Sequence, residues 1–346
     1  MELDVYEQVA QMFLVGIPNT KCIPDVINLI KDYSIGGVLI YRNNFSDLKE
    51  LEKLINKLYK ANSKNNLPLF IAIDEEGGRV NRLPFEFKNI PSAFKMSSKD
   101  NDTIKNTYNL LNENLHNMGF NMNLAPVLDL KNFEDGHCIG DRAYSSSPKR
   151  ISEIVDVFLD VSKKNNILSV SKHFPGQGSV KTDSHMFLPR ISSYQKDIVP
   201  FKHIIKNGCD ALLVAHLLVR GKTGIYPASL SRKFIQKELR EKLKYNGLVV
   251  TDELRMKSVS LLYGSKRSVK LAMLAGNDVL CCKYHNGNIE KYIKMGAKLV
   301  EKGKLDPRPS YQRIKDIKKK YKLKDEAFYQ NINVDDYNKR IEKLIS

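Results

Sequence analysis

The chain has 346 residues, 42% of them hydrophobic, with 56 Lys and Arg against 39 Asp and Glu, for a formal net charge of +17. That composition is enough for a large buried core, and it excludes a disordered chain, a collagen-like chain and a disulfide scaffold. The five cysteines lack CxxC spacing, no apolar run reaches membrane-spanning length, and no basic segment leads into an apolar stretch at the acidic start Met1-Glu2-Leu3-Asp4.

These features lead to the expectation of a cytoplasmic protein with no membrane partner, in which the vicinal pair Cys281-Cys282 fills a strand. The densest basic run, residues 315–322, carries Ile314, Ile317 and Tyr321 at helical spacing and reads as a solvated helix face. Zinc-finger spacing, an aromatic RNA-binding pattern and a helix-turn-helix are all lacking, so no nucleic-acid partner is expected.

In chain order, β-rich runs fall at residues 12–16, 37–41, 69–73, 122–127, 168–171, 211–215, 248–251 and 278–282. Between them, segments such as 48–61, 102–118, 149–164, 196–206, 233–243 and 266–274 carry apolar residues three to four apart. Eight such units predict an α/β fold, a (β/α)8 TIM-type barrel. We expect one catalytic domain over residues 1–346, with 305–346 as a short helical extension and no second α/β domain. A doubly wound sheet is the competing arrangement, weakened by the lack of a GxGxxG or Walker segment after the first strand.

Barrel enzymes place their chemistry on the loops that follow the strands. Here Asp74, Asp129, the pair Lys172-His173, His216 and Asp252 each stand at the end of a predicted strand. Two glycines and a proline after His173 predict a loop that carries Asp183 and His185. Asp183 is close enough in sequence to hold one imidazole nitrogen of His185 and fix its tautomer, although an Asx-type turn beside a solvated histidine would use the same residues. Read alone, Asp252 is equally a helix N-cap, Arg82 or Arg142 a surface ion pair, and His216 a packed core histidine.

The run from Lys172 to His185 resembles the KHFPGxGxxxxDSH motif of glycoside hydrolase family 3, in its β-N-acetylglucosaminidase branch. Ile73 to Arg82 is similar to the family's IDxEGGRVxR segment, Asn123 to Asp129 to its NxAPVxD strand, and Ile139 to Tyr144 to its IGxRxF/Y loop. Val214-Ala215-His216 and Val250 to Met256 complete the order, so the resemblance covers roughly residues 7–283. It implies that Asp252 is the nucleophile of a retaining double displacement, with His185 as acid and then base, held by Asp183. Asp74, Arg142, Lys172 and His173 would grip the sugar, with Arg82 and His216 as further binding candidates.

The implied substrate is terminal β-linked N-acetylglucosamine on muropeptides or chitin fragments, handled by a monomer with no cofactor and no metal. Three other readings use the same residues: phosphorolysis, a non-catalytic module for cell-wall sugars, and a zinc site on His173, His185 and His216. The chain departs from the commonest family pattern at Gln177, at Ser179-Val180 and at Glu253, none of them an implied catalytic position.

Overall fold

The computed structural model describes residues 4–132, 139–180, 188–325 and 332–346. Each of the eight apolar runs forms a strand: β1 (Phe13–Gly16), β2 (Gly37–Leu39), β3 (Phe70–Ile73), β4 (Met122–Asn123), β5 (Leu168–Ser169, resuming as Ser171–Phe174), β6 (Ala211–Val214), β7 (Leu248–Thr251) and β8 (Leu280–Lys283). The sheet runs β8-β1-β2-β3-β4-β5 and continues β5-β6-β7. A parallel bridge from Val250 to Val279 brings β7 back to β8, so the eight parallel strands close on themselves.

Each strand is followed by an outer helix, in order Ile23–Tyr33, Leu48–Asn62, Asn101–Asn117, Pro148–Lys164, Val199–Lys206, the π-helical Phe234–Lys242, Ser265–Ala275 and Asn288–Glu301. The local chemistry of these helices is legible. Asp47 caps Leu48–Asn62 by accepting from the Glu50 amide at 2.9 Å, and Leu51, Leu54, Ile55 and Leu58 form its buried stripe.

Alternation along the strands divides the core in two. Phe13, Val15, Ile71, Leu212 and Val249 point outward to the helices. Leu14, Phe70, Ala72, Leu213 and Val250 fill the barrel interior.

The interior core also takes in Ile314, Ile317 and Tyr321, from helix Arg308–Lys320. This corrects the reading of that basic helix as a solvated face. Its apolar stripe closes the floor of the barrel, at the N-terminal ends of the strands, and Lys318 is buried there at 2% exposure. Four of the cysteines, Cys22, Cys209, Cys281 and Cys282, are free thiols, and Cys281 and Cys282 lie in β8 as the sequence predicts. Among the described residues, no helix is long and apolar enough to cross a membrane.

Candidate active site

A buried charge cluster occupies the C-terminal rim. Lys172, at 3% side-chain exposure, contacts Asp74 Oδ1 and lies 2.5 Å from Glu76 Oε1. Glu76 is also gripped by Arg142 through Nε and Nη2, both at 2.7 Å, the bidentate geometry that suits a guanidinium to a carboxylate. Burial pushes the Lys172 ammonium toward its neutral form, but Asp74 and Glu76 more than offset this and hold its pKa above the ordinary value. Burial likewise pushes Glu76 up, while Arg142 and Lys172 hold it well below the carboxylate range. Lys172, Arg142 and Glu76 therefore remain charged inside the rim, and Asp74, 25% exposed, is the member of the cluster that opens outward.

The loop after β3 is fixed from below. Asn123 in β4 accepts from the Glu75 amide and donates to the Glu75 carbonyl, both at 3.0 Å. The buried Glu75 carboxylate accepts from the amides of Gly77 at 3.1 Å and Arg82 at 2.5 Å. Arg82 is thus held by its backbone, while its guanidinium meets the Asn81 carbonyl at 3.2 Å and joins no charge-cluster member among the described residues. Arg79 ties this loop to the next one through Asp141 at 3.1 Å and the Ile139 carbonyl at 3.0 Å.

Successive residues of a regular strand face opposite ways, but the β5–β6 ladder shifts register between Lys172 and Phe174, and both Lys172 and His173 reach rim partners. His173 Nδ1 lies 2.6 Å from Oδ2 of the fully buried Asp129, whose Oδ1 accepts from the Gln177 amide at 2.8 Å. The aspartate so fixes the ring and leaves Nε2 for a ligand.

His216 is different. Its Nδ1 is 2.6 Å from the Ser229 hydroxyl and its Nε2 is 3.0 Å from the Glu253 carbonyl, an acceptor only. Nε2 therefore donates and Nδ1 accepts, leaving no free nitrogen for a sugar or a metal. The ring instead positions the segment after β7.

Asp252 stands at the end of β7. Burial pushes its carboxyl up, but His216, His173, the Glu253 amide and Lys172 together hold it below the ordinary aspartate value. The Glu253 amide donates to Asp252 Oδ1 at 2.8 Å. Thr251 Oγ1 accepts from the Cys281 amide at 3.0 Å and so serves the β7–β8 seam. The following helix, Lys257–Tyr263, is flanked by Met256, so Asp252 is not its N-cap.

Beside the nucleophile candidate, Glu253 Oε1 accepts from the Arg255 and Lys283 amides at 3.0 and 3.1 Å, and burial raises its pKa to about 7. Tyr41, after β2, faces the same rim and feels Glu253, Asp74 and Asp252, with Lys283 Nζ 4.6 Å from its ring centroid. Glu76 and Tyr41 stand near strand ends in the sequence, but without pairing information nothing singles them out as site residues; Asp129 is marked by its strand end, and the structure adds its partner, His173.

The loop after β5 is anchored at its root. Gly176 has a φ of +107°, and a Cβ there would lie 2.7 Å from that of Asp197. Ser179 donates its amide at 3.1 Å and its hydroxyl at 2.7 Å to the Asp197 carboxylate. This gives the Ser179 departure from the family pattern a structural task. Asp183 and His185 lie outside the described residues. On the same rim, Arg190–Ile191 pairs with Leu218–Val219, and with the segment to Ile225 they border a cleft of about 820 Å³ that includes Arg190 and Arg220.

The family model described as "Glycosyl hydrolase family 3 N terminal domain" matches residues 4–317. A β-hexosaminidase of Photobacterium profundum is 34% identical over 269 residues, 76% of this chain and 79% of that protein. One from Tolumonas auensis is 33% identical over 261 residues, 73% of this chain and 76% of that protein. The solved structure of a glycoside hydrolase family 3 β-N-acetylglucosaminidase from Paenibacillus sp. str. FPU-7 superposes with a TM-score of 0.90 at 26% identity, over 99% of this chain and 68% of that one.

Proposed function

The chain belongs to glycoside hydrolase family 3, and from that premise we propose that it is a retaining β-N-acetylglucosaminidase, one catalytic barrel closed by its C-terminal helices. The observation that carries the reading is an aspartate at the end of β7, kept ionised by the neighbouring histidines, the Glu253 amide and Lys172, on the rim that also holds the Lys172–Glu76–Arg142 cluster. In this reading Asp252 attacks the anomeric carbon as the glycosidic bond breaks, and His185, held by Asp183, protonates the leaving oxygen. His185 then takes a proton from water, which displaces Asp252 and frees the sugar.

Asp74 accepts sugar hydroxyl protons. Lys172 and Arg142 donate to the ring substituents and the acetamido group, and His173 Nε2, left as the acceptor nitrogen by the Asp129 contact at Nδ1, accepts a sugar hydroxyl proton, with the cluster holding these side chains in place before substrate arrives. The arginine-bearing cleft beside the rim favours an anionic aglycone, and so a muropeptide over a neutral chitin fragment. A monomer acting in cytoplasmic cell-wall recycling completes the proposal, checked by size-exclusion chromatography and cell fractionation.

The test is release of 4-nitrophenol from its β-N-acetylglucosaminide. Asp252→Ala should lower turnover by about 10⁴-fold or more while the melting temperature stays close to wild type. Turnover retained in that folded variant would overturn the reading, and a sugar 1-phosphate formed in phosphate buffer would replace hydrolysis with phosphorolysis. His185→Ala should cost roughly 10²- to 10⁴-fold on poor leaving groups and less on good ones.

A further inference from the structure

Helices Ser265–Ala275 and Asn288–Glu301 pack side by side on the outside of the barrel. Between them runs a groove of about 700 Å³, apart from the catalytic rim cleft. One wall carries Lys266, Arg267 and Lys270, and the other carries Lys291, Lys294, Lys298 and Lys302. All seven are exposed, above a floor that includes Met295 and the buried Leu299.

Elsewhere on the surface some lysines pair within their own helix, as in Lys53–Glu50, Lys164–Asp160 and Lys237–Glu241, and others, such as Lys49, Lys57 and Lys60, form no ion pair among the described residues but are spread along an open face. What sets the groove apart is that its cations are gathered on two facing walls. Among the described residues none of the seven forms an ion pair, and the hydrogen-bond contact of Arg267 is with the Tyr226 hydroxyl at 3.5 Å. Seven unneutralised cations facing one another across a cleft repel, and an anion seated between them relieves that repulsion.

The spacing identifies the form of the anion. Lys291, Lys294, Lys298 and Lys302 follow one face of a helix at intervals of three and four residues, about 4.5–6 Å of axial rise per step. Lys266 and Lys270 repeat the four-residue step on the opposite wall. Two parallel rails of charge match a linear chain bearing regularly repeated negative groups.

The groove runs along Asn288–Glu301, which begins after β8 at the rim, and Ser265–Ala275, which follows β7 and the short helix Lys257–Tyr263, toward the barrel floor. Among the described residues no aromatic side chain lines it, so they offer it none of the stacking faces with which proteins hold single-stranded nucleic acid. Its two walls place the rails on either side of a furrow, a shape that suits a single extended chain. We infer that this groove is a docking site for a linear, phosphodiester-type polyanion without bases, which would be held alongside the barrel with one end at the catalytic rim.

The inference is independent of the proposed hydrolase chemistry and is tested separately, with long-chain inorganic polyphosphate as the probe. Calorimetric binding to the full chain is measured at several salt concentrations, for wild type, for the groove variant K291E/K294E/K298E and for K49E/K57E/K60E on helix Leu48–Asn62. Wild type should bind with a steep salt dependence. The groove variant should lose at least about 30-fold in affinity at low salt and flatten the log–log salt slope by about 2–3.

The control variant should stay within about threefold of wild type, set by long-range charge alone. Both variants should keep the wild-type melting temperature or exceed it, because like charges are removed, and should turn over the chromogenic substrate at the wild-type rate. Equal loss in both variants, or no loss in either, would overturn the inference. So would pyrophosphate binding as tightly as the polymer, oligothymidylate binding more tightly, or sedimentation with phosphatidylglycerol vesicles in the absence of polyphosphate binding.

Discussion

Two lysines lie buried at opposite ends of the barrel, and their protons are held in opposite ways. At the rim, Lys172 touches Asp74 and Glu76 and stays charged above its ordinary range. At the floor, Lys318 donates to Gln11 Oε1 at 2.8 Å and to the Gly36 carbonyl at 3.0 Å, with its ammonium 4.6 Å from the Phe70 ring centroid. Those partners are neutral, Asp325 compensates only in part, and burial lowers its pKa to about 7. Burial is common to both sites, so what decides the charge is whether carboxylates stand within contact. The rim keeps its ions because opposite charges meet there in contact, whereas the floor is an apolar seal crossed by one amine.

The comparison is broken most strongly at the hub of the rim. Glu76→Ala leaves Arg142 and Lys172 buried with Asp74 alone, and should cost about 3–5 kcal/mol of stability in denaturant unfolding as well as most of the activity. At the floor, Ile314→Ala should cost about 2–4 kcal/mol by opening a cavity, yet leave kcat and KM near wild type at temperatures where the protein stays folded. Loss of activity there without unfolding would mean that the two ends are coupled.

A finer cut at the rim is Asp129→Asn, which keeps one acceptor for the Gln177 amide or for His173 but removes the charge behind the imidazole. The expected fall in kcat/KM is about 10- to 100-fold, the worth of one charged hydrogen bond.

The smallest effect separates the lysines by pH. Because the folded pKa of Lys318 is depressed, the unfolded chain binds more protons between about pH 7 and the ordinary lysine range. Its destabilising effect is therefore complete below pH 7 and fades as pH rises. Relative to Lys318→Met, the wild type should gain of order 1–2 kcal/mol between pH 6 and pH 8 in urea unfolding.

Much of this was legible before folding. The apolar runs and their spacing mark all eight strands, and the strand-end positions of Asp74, Lys172, His173 and Asp252 mark the rim. His216 has the same strand-end position but turns inward, and only its partners, Ser229 and the Glu253 carbonyl, reveal that. Glu75 and Glu76 are adjacent and chemically alike. One braces a loop through backbone amides while the other anchors two cations, a difference that depends on residues about 50 to 100 positions away.

The stripe Ile314, Ile317 and Tyr321 is a helix face by its periodicity alone, but periodicity does not say what that face covers. The sequence by itself determined the strand count, the alternation of β and α elements and the chemical types at the strand ends, because these follow from local periodicity and turn residues. Only the tertiary structure decided which carboxylate meets which cation, which histidine keeps a free nitrogen and which lysine holds its proton less tightly. Those outcomes depend on burial and on partners brought together by barrel closure.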